Sequence, residues 1–464
     1  MRPHSGLPVL ALLAAFHATT PASGQVTIPD HGVIGIGAEQ LRPDFWVRLQ
    51  ADPDRVILTA AAIAGQNRVM LERDSSLYDL ERLPVVLTRA QVRHWVERLS
   101  QAPGRRLFDE RGDSVSAARI EALLAAVQLD AIPAEQPLRF ALVTARADLR
   151  TFPTRTRVFS GRDNTDIDRW QETALFPGTP AVVVHESRDG GWWFIVSHHY
   201  AAWVQKSFVA EGSREAVLGY AHKTPYLVVT GAKVRTVFTP ERPALSELQL
   251  DMGVRVPLLA DWPADSVVNG QNPYTGHVIE LPVRTATGGL ELVPALLPGT
   301  ADVASDYLPL TAGGVIRQAF KFLGERYGWG HGYNGRDCSG FVSEVYRAFG
   351  VDLPRNTGDQ ANSPALNRIA FTGDDGRERR LAVLRDAQVG DLVYIPGHVM
   401  MVIGHLDEVT YVIHDVTGIN YLGNDGTAVR VPLNGVSVTQ LETLASSPDR
   451  TWVDNIRSIQ RIRR

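Results

Sequence analysis

Residues 327–360 read YGWGHGYNGRDCSGFVSEVYRAFGVDLPRNTGDQ, and the interpretation of the whole chain turns on them. They contain Cys338, the one cysteine in 464 residues. Ahead of it run Gly328, Gly330, Gly332 and Gly335, a spacing that leaves room for a substrate backbone to come close. Behind it Phe341, Val342, Val345, Tyr346 and Phe349 recur at helical intervals, with Gly350 positioned to end the helix. Asp337 suits the N-cap, which puts Cys338 in the first turn, where unpaired amides and the helix dipole favour a thiolate. A nucleophile needs that bias, because an unperturbed thiol, with a pKa of about 8.5, is mostly protonated at neutral pH. A lone cysteine of unknown surroundings reads first as a buried structural thiol. Here the small polar neighbours and two well-placed histidines downstream argue for chemistry instead.

Those histidines lie in a β region. The run Gly390–His398 leads into a strand over 399–403, and a second strand is expected over 409–414. His398, Met400 and Val402 share one face of the first, and Val412 and His414 share a face of the second. His405 is seven residues from His398, so in a regular strand it faces away, and the turn after it should expose it. His398 is therefore the expected general base and His414 its orienting partner. A cysteine at a helix N-terminus facing histidines on a sheet is the papain-like arrangement.

Toward the N-terminus the character of the chain changes twice. Residues 1–24 read as a secretory signal: Arg2, an apolar run Leu7–Phe16, and a small-residue cleavage site at Ala22-Ser23-Gly24. The apolar run is too short to span a bilayer, so no integral membrane segment is expected after its removal, and the protein should work in the periplasm or outside the cell. Residues 25–148 read as a mainly helical stabilising domain, with Val92, Trp95, Val96 and Leu99, then Ile120, Leu123, Leu124 and Val127, at helical spacing. Asp52-Pro53-Asp54 is expected to open a helix there. From about residue 149 the period becomes two. Short strands with turn signals, such as Arg188-Asp189-Gly190-Gly191, predict two small β-barrels over 149–215 and 216–304, ahead of a catalytic domain at 305–464. The fold class is thus α+β.

Trp192, Trp193, Tyr200 and Trp203 are dense enough to be either barrel core or a stacking surface for a ligand. His198-His199, read as strand neighbours, point to opposite faces and make poor partners for a shared ion. The closing RSIQRIRR, residues 457–464, reads as a solvated edge strand. With 44% hydrophobic and 21% charged residues and a formal net charge of −4, the chain carries no electrostatic footprint for nucleic acid or an anionic membrane. No cluster of metal-ligand spacing is visible, and the chemistry expected of Cys338 needs neither a metal nor an organic cofactor.

Taken together, Tyr327-Gly328-Trp329-Gly330, Asp337-Cys338-Ser339-Gly340-Phe341, Leu353-Pro354-Arg355 and Gly390-Asp391-Leu392-Val393 with His398 resemble the NlpC-type cell-wall cysteine peptidases. The larger members of that group carry a helical stabilising segment, similar to residues 44–71, and two bacterial SH3-like barrels. The first barrel is suggested by Phe152-Pro153-Thr154, Asp168-Arg169-Trp170-Gln171-Glu172 and His185-Glu186-Ser187. The resemblance implies hydrolysis of the γ-D-glutamyl bond to meso-diaminopimelate, or another diamino acid, in peptidoglycan stem peptides. It implies Cys338 as nucleophile, His398 as base and His414 as third member. Tyr327 and the Cys338 amide would be the oxyanion donors, and Asp337 and Ser339 would line the glutamate pocket. Relatives often follow L-P-R with Asp-Ser, which contacts the substrate amine and carboxylate. Asn356-Thr357 stand here, keeping the hydroxyl and losing the charge. His331 replaces a glycine. The first barrel would wall off one end of the groove through Trp192, Tyr200 and Trp203, with Glu186 or Asp189 receiving the free amine of an N-terminal L-Ala.

Two rival readings use the same residues. An amidase or acyltransferase on this scaffold would keep Cys338 and His398 with a different pocket. A wall-binding protein without catalysis would be indifferent to loss of the thiol.

Overall fold

The computed structural model describes residues 31–423 and 427–463; the leader-like residues 1–24 lie outside the described residues. The helices, in chain order, are α1 (Pro43–Arg48), α2 (Ala60–Arg73), α3 (Arg89–Leu99), α4 (Ala117–Val127), α5 (Arg214–Tyr220), α6 (Ala312–Phe320), α7 (Cys338–Arg347), α8 (Thr357–Asn362) and α9 (Arg377–Arg385). None of the described helices is long and apolar enough to cross a membrane.

The N-terminal helices divide between two cores. Trp46, Val47, Ile63 and Met70 of α1 and α2 pack with Phe341, Val345, Met401 and Ile413 of the catalytic region. Val92, Val96 and Val127 of α3 and α4 pack instead with Phe140, Val182 and Phe194 of the first barrel. Trp46 is fully buried, and its ring occupies the space a side chain would need at Gly404, where the strand bulges at φ +153°. Burying one such ring stabilises the docked helix by about 2–3 kcal/mol. The helix expected to open at Asp52-Pro53-Asp54 begins later. A short strand, Val56–Leu58, intervenes, and α2 starts at Ala60 because the Thr59 hydroxyl caps the Ala62 amide.

The first barrel is a seven-stranded antiparallel sheet in the order Val209–Gly212, Arg139–Val143, Pro180–Glu186, Trp192–Ser197, Ala201–Gln205, Ala147–Arg150, Gln171–Leu175. It begins at Arg139, ten residues before the expected boundary. Strand alternation decides its two faces. Phe140, Leu142, Val182 and Phe194 turn toward α3 and α4, while Ala141, Val143, Val183 and Ile195 turn toward one another. After α5, a second set of short antiparallel ladders closes around Leu227, Val229, Leu250, Val256, Ile279, Leu281 and Leu297.

The catalytic region is built on six antiparallel strands in the order Asn367–Ala370, Ser458–Arg461, Leu392–Ile395, His398–Leu406, Val409–Leu422, Ala428–Gln440. The basic C-terminal segment is therefore an interior strand, paired on both sides and buried at Ser458, Ile459 and Gln460, rather than a solvated edge. Its apolar Ile459 fits that position, while its arginines lie at the ends. Helices α6 and α7 cover one face of this sheet, and α9, Trp452 and Ile456 cover the other.

Candidate active site

Helix α7 begins at Cys338 because Asp337 caps it. Asp337 Oδ1 accepts the Gly340 amide at 2.8 Å, and Oδ2 accepts the Gly330 amide and the Arg355 guanidinium. Burial pushes this carboxyl up, but Arg355 and the surrounding donors overcome it and hold Asp337 at about 2. The Cys338 sulfur lies 3.7 Å from the Thr357 hydroxyl and against the Val399 amide. The Cys338 amide, at the start of the helix, has no acceptor among the described residues.

His398 opens the strand that carries Val399. Its Nε2 is 2.8 Å from His414 Nδ1, and His414 Nε2 is 3.0 Å from the Thr439 hydroxyl. Trp452 stands edge-on to both imidazoles, with ring centroids 5.4 and 5.8 Å away; His414 is buried and His398 half-buried. By strand alternation the two histidines share the face of Met400, Val402 and Val412, the face that Trp452 covers. Cys338 packs with Val399, Met401 and Ile413 of the other, so sulfur and His398 approach only at the start of the strand, where the Val399 amide meets the sulfur. His405 is half-buried and donates to the Ala387 carbonyl, because the bulge at Gly404 resets the alternation beyond it.

Among the described residues no hydrogen bond joins the sulfur to His398. Burial is the largest influence on the thiol and pushes it up to about 12, with Asp337 adding repulsion. Burial also pulls His398 down to about 4 and His414 well below its ordinary value. Desolvation therefore outweighs the helix-terminus bias that the sequence suggested. Burial thus favours a protonated thiol and neutral imidazoles.

Behind α7 lies a buried polar network. Arg355 donates to Thr173, Ser339 and Asp337, and the second N–H of its Nη2 reaches His331 Nδ1 at 3.1 Å. His331 Nε2 is 2.9 Å from Glu344 Oε1. A guanidinium only donates and a carboxylate only accepts, so His331 is the neutral tautomer with its proton on Nε2. The histidine in place of glycine thus links the two sides of the network, although it sits at φ +62°, a conformation glycine adopts more easily. Arg336 completes the network with Glu344 and Asp251, and Arg146 of the barrel joins at Asp251. Removing one member would leave a buried charge unpaired, at a cost of about 3–5 kcal/mol. Asp337 and Ser339 are both buried in this network, and Ser339 Oγ is occupied by Asp337 and Arg355. Among the glycines ahead of Cys338, Gly328 and Gly335 make room for the loop's own backbone and Gly330 for the barrel. A Cβ at Gly330 would strike Gln171 and the Glu172 carbonyl, each at 2.9 Å.

The expected barrel wall is rearranged. Trp192 and Trp203 are core residues under α3, and the Trp203 indole donates to Ser100. Glu186 is paired with Lys206 and Trp193, and Asp189 is held in its own turn by Ser187 and Gly191. That turn abuts the end of α4. Neither carboxylate borders the cavity of about 390 Å³ that opens beside Asn356. Tyr200 does border it, and its hydroxyl donates to Glu172, whose other oxygen accepts from Thr151. Asp359 lies on the same cavity and accepts from Asn356 at 3.0 Å. The charge missing at Asn356 thus stands three residues further on. Glu172 was visible in the Gln171-Glu172 motif, whereas nothing local marked Asp359, Thr439 or Trp452.

Tyr327 is buried where Cys338, Asp337 and Asp415 all act on its hydroxyl; burial chiefly, and then those groups, raise it above the ordinary range. Asp415 is fully buried, and neither of its oxygens has a well-formed hydrogen bond among the described residues, the Val416 amide giving only weak support. Burial, followed by the Asp337 and Glu325 charges, holds it well above the ordinary carboxylate value. A folded pKa raised in this way leaves stability fully present below about pH 4 and lost as pH rises. Asp415→Asn is therefore expected to raise the melting temperature at pH 8, by the equivalent of about 1–3 kcal/mol, with the gain shrinking to nothing toward pH 4. Melts at both pH values check this; an equal gain at pH 4 would contradict it.

His198 and His199 are not strand neighbours. They lie in the turn between Trp192–Ser197 and Ala201–Gln205, and both Nε2 atoms reach Asp352, at 2.7 and 2.6 Å.

Comparison with known proteins gives matches in both parts of the molecule. Residues 324–438 match the NlpC/P60 family, and residues 157–205 match the SH3 domain (SH3b1 type). Over 66 residues the chain is 41% identical to a γ-D-glutamyl-L-lysine dipeptidyl-peptidase of Bacillus subtilis (strain 168). That stretch is 13% of this chain and spans about a fifth (22%) of the relative. Among solved structures, an NlpC/P60 endopeptidase from Photobacterium damselae subsp. piscicida superposes with a TM-score of 0.68 at 16% identity, covering 88% of this chain and 94% of that one. An NlpC/P60 family protein from Bacillus cereus ATCC 10987 aligns with a TM-score of 0.42 at 20% identity, over 63% of this chain and 82% of that one.

Proposed function

The chain carries an NlpC/P60 domain set against an SH3b domain, and we propose that it is a cysteine endopeptidase of peptidoglycan stem peptides. The bond cut is the γ-D-glutamyl bond to a diamino acid. The observation that carries this reading is the relay His398–His414–Thr439, which lies beside the strand whose Val399 amide meets the Cys338 sulfur. The named activity of the B. subtilis relative supports the choice of bond. On this reading the protein works outside the cytoplasm, where the polymer lies.

The chemistry is acyl transfer. With His398 Nε2–H donated to His414 and His414 Nε2–H donated to Thr439, the free Nδ1 of His398 takes the thiol proton as sulfur attacks the γ-carbonyl. The oxyanion is met by the unpaired Cys338 amide and the Tyr327 hydroxyl. Collapse expels the diamino acid's amine, which receives the proton from His398. Water then hydrolyses the thioester with His398 as base, releasing the γ-carboxylate and restoring the thiol. The side chains used carry the reaction through both steps without a cofactor.

The resting neutral couple sets the pH behaviour. His398 is the base, and its lowered pKa keeps it unprotonated to lower pH. The acid limb of kcat/KM should therefore fall toward pH 4, well below the ordinary imidazole value of about 6.5. Iodoacetamide alkylation of Cys338 should rise only above pH 9, since the thiol is pushed up to about 12. An alkylation plateau between pH 5 and 7 that disappears in His398→Ala would instead establish a resting thiolate–imidazolium pair.

A further inference from the structure

We propose that His198, His199 and Asp352 form a site for one divalent first-row transition cation, of the Zn²⁺ type, that clips the first barrel to the catalytic region. The two histidines are neighbours, but Asp352 lies 154 and 153 residues beyond them, so no ligand spacing could reveal the trio. The structure brings one ligand atom from each within 4.8 Å of the others.

Proton arithmetic singles out the cluster. His198 Nδ1 faces the Tyr78 carbonyl at 3.2 Å, and a carbonyl only accepts, so that nitrogen carries hydrogen. In the neutral ring Nε2 then has a lone pair, and it faces Asp352 Oδ2 at 2.7 Å. Two lone pairs at that distance require either a second proton or a cation between them. His199 Nε2 meets the other oxygen of the same carboxylate at 2.6 Å.

The surroundings resemble a ligand shell. The Tyr78 carbonyl fixes the tautomer of His198, the role an outer partner plays around bound metals. Asn67 of α2 accepts the Asp352 amide at 3.0 Å and donates to the Gly350 carbonyl, which fixes the turn that presents the carboxylate. Two imidazoles and one carboxylate suit Zn²⁺ and its neighbours, and leave a fourth position open. That position faces a cavity of about 400 Å³ lined by the three residues together with Asn67, Tyr307 and Arg347. Bonds of about 2.0–2.1 Å would need ligand atoms about 3.3 Å apart in a tetrahedron, so each side chain must retreat by less than about 1 Å. The side chains, 23–29% exposed, have space to do so.

The clip would hold the barrel turn against the segment that runs from Asp352 to Arg355, the residue that fixes the cap of α7. Its test is independent of peptidase activity. Full-length Cys338→Ala protein, so that the thiol cannot compete, is stripped with chelator and titrated with Zn²⁺. One equivalent should bind with a rise of several degrees in melting temperature, and Co²⁺ should give the intense visible bands of a tetrahedral site. His199→Ala and Asp352→Asn, checked for folding by circular dichroism, should each weaken binding at least tenfold, while His94→Ala on α3 should not. Absence of binding and of any thermal shift in the stripped protein would overturn the proposal and leave the trio as a proton-held clip. Binding of equal strength in His199→Ala and Asp352→Asn would overturn it equally, by locating the metal elsewhere.

Discussion

Cys338→Ala is expected to abolish stem-peptide hydrolysis, lowering kcat/KM by about 10⁴-fold or more while the protein stays folded. The sulfur's polar contacts are a long one to Thr357 and one to the Val399 amide, and the substitution removes a single atom from the core, so the fold should survive it. His398→Ala should cost about as much, because nucleophile and base act as one unit and removing either disables both. His414→Ala should leave more residual activity. His414 acts through His398, fixing which nitrogen carries the proton, and its loss exposes His398 to a different partner rather than deleting the base. Turnover at the wild-type rate in Cys338→Ala would end the assignment. Equal losses in all three variants would mean that His414 does more than orient.

The second large effect concerns which peptide is cut. Tyr200 and Asp359 border the cavity beside Asn356, and Glu172 stands behind the Tyr200 hydroxyl, accepting its hydrogen bond. Two carboxylates around one phenol suit the ammonium of a free N-terminal L-Ala. A glycan strand continuing past the alanine would meet the barrel, and exclusion by clash gives specificity without added attraction. L-Ala-γ-D-Glu-diaminopimelate should therefore be cleaved at least about 10²-fold faster than its N-acetylated form or intact sacculi, since an ammonium left unpaired, or a carboxylate left facing an acetyl group, costs about 3 kcal/mol. Glu172→Gln should narrow that ratio by slowing the free peptide alone. Comparable rates on free and acetylated tripeptide would show an open groove and leave the barrels an anchoring role.

The parts of this account that were legible in the sequence were the local ones. The cap at Asp337, the apolar stripe of α7 and the faces that His398 shares with Met400 and His414 with Val412 all follow from residues a few positions apart. What failed was non-local. Nothing in RSIQRIRR says that Ser458–Arg461 will insert between Asn367–Ala370 and Leu392–Ile395. Trp192 and Trp203 were ambiguous until α3 was seen to cover their face. Glu186 and Glu172 are equally acidic in sequence, and only the barrel's closure puts the second beside Tyr200. His198 and His199 misled because strand alternation was applied to residues that form a turn. Burial weighs against the thiolate expectation, since a helix terminus contributes about 1 kcal/mol whereas burying a charge costs several.

The central claim, a γ-D-glutamyl endopeptidase acting through Cys338, is met most directly by mass spectrometry of one digest. L-Ala-γ-D-Glu-diaminopimelate-D-Ala incubated with the wild-type chain should yield L-Ala-D-Glu and the diaminopimelate–D-Ala dipeptide, with neither appearing when Cys338→Ala is used. A tetrapeptide left intact beside active-site-competent protein, or cleavage at any other bond, would contradict the account.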